Sequence, residues 1–136
     1  MTAKGFEEIE FGDSYLLGWE REGERLTLYF QLLLTSLHPQ FEPYDRRKEY
    51  GCYKLGRIIA TGCRVVRGLP SDSRALKWNL ELPEFDDVAE TFVLEHRYGL
   101  LVLMSPDLDA DLEIEAAAFE VIIDGPSASA DGRWPA

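Results

Sequence analysis

Residues 25–34 read RLTLYFQLLL, and few folds can accept that stretch. Leu26, Leu28, Phe30, Leu32 and Leu34 recur with a period of two, which places them on one face of an extended chain. Thr27, Tyr29, Gln31 and Leu33 take the opposite face. A helix would scatter the first set around its circumference. The preceding SYLLGWERE, residues 14–22, also has strand character. Between the two runs, Glu22-Gly23-Glu24 suits a tight hairpin, because glycine adopts positive φ without a steric clash.

Further strands follow along the chain. Residues 74–82, RALKWNLEL, put Leu76, Trp78, Leu80 and Leu82 on one face and Lys77, Asn79 and Glu81 on the other. That is a half-buried antiparallel strand, ended by Pro83. YGLLVLM, residues 98–104, is apolar on both faces and reads as a central strand. In residues 111–123, Leu112, Ile114 and Ala116 are followed by Phe119, Val121 and Ile123, either two strands meeting at a bend or one bent strand. The β-branched end argues against a helix there. Residues 83–96 carry Phe85, Val88, Ala89 and Phe92 at helical spacing, so a short helical piece should lead into a strand over TFVLE.

The connections are marked by composition. LHPQFEPYDRR, residues 37–47, contains two prolines and should be a long loop, as should SPDLDAD at 105–111. From residue 125 onward, small residues and prolines predict a flexible tail. The expected fold is therefore mainly β. It is one domain over residues 1–124, an antiparallel β-sandwich or flattened barrel of about eight strands with little helix.

EYGCYKLGRIIATGC, residues 49–63, holds both cysteines. Their spacing is not the C-x-x-C of an oxidoreductase. A strand pair is the expectation, with Gly56 and Gly62 allowing a bend or bulge. Tyr53 and Leu55 share a face of the first segment and Cys52 lies opposite them. Ile59, Thr61, Cys63 and Val65 share a face of the second, which makes Cys63 a small core residue. Whether the face of Cys52 is buried stays open, and a thiol reagent that labels Cys52 readily and Cys63 only after unfolding would support the split.

Charge is unevenly spread. The net charge is −11. Residues 1–75 carry equal numbers of acidic and basic side chains, whereas residues 76–136 hold 3 basic and 14 acidic ones. Such a field repels nucleic-acid backbone and attracts basic partners. No apolar run approaches the ~20 residues of a membrane-spanning helix, and the acidic N-terminus does not resemble a secretion signal, so the expected location is cytoplasmic.

No catalytic, cofactor-binding or metal-ligating set emerges. Asp107, Asp109 and Asp111 begin like a calcium loop, but Leu112 and Ala118 stand where glycine and a bidentate glutamate are needed. His38, Cys52, Cys63 and His96 match a zinc site in number and not in spacing. Ser14 lies in no nucleophile elbow. The aromatic and basic residues of the proline loop and its flank, Phe41, Tyr44, Arg46 and Tyr50, are the better lead, because aromatic and arginine side chains dominate interface hot spots. Asp111, Glu113 and Glu115 offer an acidic counterpart.

The opening FGDSYLLGWEREGERLTLYF, through Phe11, Asp13, Ser14, Trp19 and Leu26, resembles the start of small bacterial β-rich proteins of unknown function. Some of these are similar to the immunity proteins of contact-dependent and polymorphic toxin systems, which often begin with an F-x-D-S segment leading into a hairpin. The resemblance implies a non-enzymatic protein that binds another protein, and no catalytic residue. Together these features predict an inhibitor-like module for a basic partner. The alternative is a small-molecule binder or enzyme with a pocket near Tyr53, Trp78 and His96. Self-association through an edge strand or the aromatic loop is a third expectation.

Overall fold

The structure, a computed structural model, describes residues 2–47, 51–69, 93–94, 98–103 and 112–126. These residues form nine strands: β1 (Thr2–Lys4), β2 (Ile9–Glu22), β3 (Arg25–Leu34), β4 (Cys52–Thr61), β5 (Val65–Arg67), β6 (Val93–Leu94), β7 (Gly99–Leu103), β8 (Leu112–Ala116) and β9 (Ala118–Pro126). Five make a sheet in the order β1-β9-β4-β3-β2, and four make a second sheet in the order β5-β8-β7-β6. The larger sheet curls into a half-barrel. All pairings are antiparallel except that of β1 with β9.

The alternating stretch behaves as its period requires. Leu26, Leu28, Phe30, Leu32 and Leu34 are all buried and belong to one apolar cluster. Opposite them, Thr27 and Leu33 are buried as well, while Tyr29 and Gln31 are half-buried. The hairpin turns at Gly23, whose φ is +59°, between the paired residues Glu22 and Arg25. The cluster also takes Leu101 from β7 and Leu112, Ile114 and Ala116 from β8, so one core joins the two sheets. Residues 112–126 resolve into two strands meeting at Ala117, whose N–H donates to the Thr61 carbonyl at 3.0 Å.

Two expectations need correction, and one open question is answered. The stretch around the cysteines is one continuous strand, β4, rather than a strand pair. Gly56 lies where Asp124 bulges out of β9, because Leu55 faces Gly125 while Gly56 faces Ile123. A Cβ on Gly56 would sit 2.9 Å from the Ile122 carbonyl oxygen, so glycine here admits the neighbouring backbone instead of ending the strand. The face of Cys52, left open by the sequence, is buried: Cys52 and Cys63 are 5% and 3% accessible, and both belong to the core cluster. Finally, β9 runs to Pro126, into the segment whose composition suggested a tail from residue 125.

β2 begins earlier than expected, at Ile9, through a bulge. Residues 11–14 of β2 face only Leu32 of β3, since Glu10 pairs with Leu33 and Tyr15 with Gln31. Ser14, fully buried, spans this gap. Its hydroxyl donates to the Glu10 carbonyl at 2.7 Å and accepts from the Leu33 N–H at 3.0 Å. A side chain thereby replaces the ladder bonds that the bulge removes. The loop over 37–47 is present as expected. Of the predicted segment 83–96, only the strand end is described, as β6. The predicted strand at 74–82, the loop at 105–111 and residues 127–136 lie outside the described residues.

Candidate functional site

An open cleft of about 460 Å³ lies at the end of β3 and β4. Its floor comes from the sheet, with Leu33, Leu34, Gly51 and Cys52. Thr35, Ser36 and Glu10 form one wall, and Phe41, Tyr44 and Arg46 reach in from the proline loop. Sequence reasoning grouped those last three residues, and the structure brings them together. It did not find Glu10 or Gly51. Glu10 reaches the cleft only because of the bulge that Ser14 bridges, which no periodicity reveals. Gly51 packs on Leu33, whose side-chain end would have to shift to admit a Cβ there.

The loop is built from successive tight turns. His38 N–H donates to the Thr35 carbonyl and Phe41 N–H to the His38 carbonyl, each at 3.0 Å. His38 Nδ1 accepts from Gln40 N–H at 3.0 Å, an arrangement that needs the neutral ring. Partial burial lowers the pKa of His38 in the same direction, opposed by the Glu8 carboxylate. Phe41 and Tyr44 meet edge to face, with ring centroids 6.2 Å apart, and both pack on the core cluster. Below them, Glu42 Oε1 lies 3.0 Å from Lys54 Nζ. The Glu42 N–H donates to Cys52 Sγ at 3.4 Å.

The acidic candidates behave differently. Glu113 and Glu115 stand on β8, on the opposite face from Leu112, Ile114 and Ala116. Glu115 is hydrogen-bonded by Arg64, whose Nε lies 2.8 Å from Oε1, and the Arg64 guanidinium also stacks on the Tyr98 ring at 3.7 Å. Glu113 meets Arg67 at 3.4 Å. Both carboxylates thus already have cations from β5 or the residue before it. Tyr50 and Asp111 lie outside the described residues, as do Trp78 and His96. Tyr53, offered for a different pocket, stands on the outer face of the sheet with its ring 6.1 Å from that of Tyr15.

That outer face carries the strongest ion pair described. Arg57 donates through Nε and Nη2 to Asp124, with contacts of 2.7–3.0 Å. These bonds hold the Arg57 guanidinium above its already high range. Beside it, the Tyr29 hydroxyl donates to Glu20 at 2.9 Å. Burial first, then that bond, pushes the Tyr29 phenol above its usual 10.0.

Among the described residues no three His, Cys, Asp or Glu side chains converge as metal ligands. Nor is any helix there long and apolar enough to cross a membrane. No protein-family model, curated protein or solved structure matches the chain.

Proposed function

We propose that this chain is a protein-binding module, inhibitor- or immunity-like, that performs no chemistry of its own. The observation that carries this reading is the convergence of Phe41, Tyr44 and Arg46 on one open cleft with a polar rim. Half-buried aromatic side chains beside an arginine supply large contact area at low entropic cost, the composition of interface anchors. The acidic excess of the second half of the chain steers a basic partner toward the molecule. Anchoring falls to the loop rather than to β8, because Glu113 and Glu115 are engaged with Arg67 and Arg64.

A direct test is quantitative capture from a lysate of the source organism at low salt, with the wild type and a Phe41→Ala/Tyr44→Ala variant as baits. A basic protein held by the wild type should be lost from the variant. With the purified pair, affinity should fall by about tenfold to a hundredfold, the effect of removing two anchors. A partner that binds both baits equally would sink the assignment of the loop.

One observation favours a second reading. The cleft volume of about 460 Å³ falls in the range of roughly 300–1,000 Å³ typical of small-molecule sites. Native mass spectrometry separates the two: a copurifying small molecule that Tyr44→Ala releases would favour the ligand reading.

A further inference from the structure

Lys54 is an unusual residue for the inner wall of a half-barrel. Its register partner on β3 is Leu32, which is fully buried, and its side chain is only 11% exposed. A buried ammonium is tolerated only with a counter-charge or water. The carboxylate it has belongs to Glu42, which stands in the proline loop and is 73% exposed. The pair is therefore lopsided. Lys54 is fixed in the wall, whereas Glu42 can turn to solvent with little loss of its own hydration.

The same residue carries the second tie between loop and sheet. The Glu42 N–H donates to Cys52 Sγ, and sulfur is a weak acceptor. Pro39 and Pro43 flank residues 40–42 and fix φ at their own two positions. Around it, Phe41 and Tyr44 are only partly buried and Leu37 is 76% exposed. At its start the loop is tied to Glu8 through the Thr35 N–H and hydroxyl, and over Cys52 the described residues hold it by two incomplete ring contacts and two bonds that meet at Glu42.

We propose that residues 35–47 form a strap latched over the end of the sheet by the Glu42–Lys54 ion pair, and that releasing this latch opens the floor of the cleft at Cys52. Loss of the Glu42 carboxylate draws water toward the Lys54 ammonium, and that water enters beneath the strap. This device goes beyond the binding reading and does not depend on it, since the strap opens or stays shut whatever occupies the cleft.

The two native cysteines make the test. Cys52 lies under the strap. Cys63 lies beyond the other end of β4, where burial pushes its thiol pKa up, against a smaller opposing effect of Arg21. Alkylation by N-ethylmaleimide, resolved by site with peptide mass spectrometry, reports both positions in one sample. In Glu42→Gln, Cys52 should react about tenfold faster than in the wild type, as expected for losing one charge-assisted tie, while Cys63 keeps its wild-type rate. Lys54→Met removes the latch without leaving a stranded ammonium, and should speed Cys52 as well. An unchanged Cys52 rate in Glu42→Gln would overturn the proposal. So would a rise confined to Glu42→Gln, which would assign the effect to an unpaired Lys54. A rise of Cys52 and Cys63 together would also overturn it, because the whole sheet would then have loosened.

Discussion

The two sheets meet in one core but are fastened in different ways. In the larger one, β3 sends five consecutive inward positions into the cluster, and its register is set by apolar burial. In the smaller one, β8 contributes Leu112, Ile114 and Ala116 to the same cluster, but its outer face is tied to β5 and the preceding residue by Arg67–Glu113 and Arg64–Glu115. A one-residue slip of β3 would bring its whole inward set to the wrong face. A slip of β8 would do the same with three residues and would also part the charge pairs. Burial gives the long strands their place, and paired charges help select the register of the short ones.

The comparison can be broken most forcefully at Phe30, which is fully buried at the centre of β3. Phe30→Ala should cost about 3–5 kcal/mol in a denaturant melt, the usual loss for a large core aromatic. A loss below ~1 kcal/mol would show that the larger sheet is not held chiefly by burial. Next in size is Ser14→Ala. It leaves the Leu33 N–H without its acceptor and the Glu10 carbonyl without that donor, at a cost of roughly 1–3 kcal/mol. Hydrogen exchange at Leu33 should speed up in the same variant, and unchanged protection there would argue against the bridging role.

The smallest effects test the ion pairs against one another. Asp124→Asn weakens a bidentate pair whose side chains are 28% and 14% exposed, and should cost about 1–2 kcal/mol. Glu115→Gln removes a pair exposed to 48% and 24%, and should cost no more than about 1 kcal/mol, less in high salt. Equal losses measured side by side would show that shielding from water does not set the worth of these pairs.

Much of this fold is legible in residue order. The hairpin follows from period-two alternation around Gly23, the bend at Ala117 from the changed phase between Ile114 and Phe119, and the loop from Pro39 and Pro43. These features depend on neighbours in sequence. The rest depends on neighbours in space. Gly56 reads as a possible bend, yet β4 passes straight through it because Asp124 bulges on the strand opposite. Lys54 reads as a polar position, but its face is the inner one, and Glu42 makes that tolerable. Ser14 sits in the motif that carries the resemblance, and its part in the structure is to bridge a bulge. For the cleft, the aromatic loop residues were visible in composition, whereas Glu10 and Gly51 enter it through the bulge and through packing on Leu33.

The position of β9 has a consequence for how the molecule is made. It lies between β1 and β4, pairing with residues 2–4 on one side and 54–61 on the other. During synthesis the β2–β3–β4 meander can assemble as it emerges. β1 must wait for β9, and so must the edge of β4 that β9 covers. Contacts so distant in sequence close slowly. Until β9 is made, β4 lacks the partner that covers this edge, and an uncovered strand edge is a template for pairing with other chains.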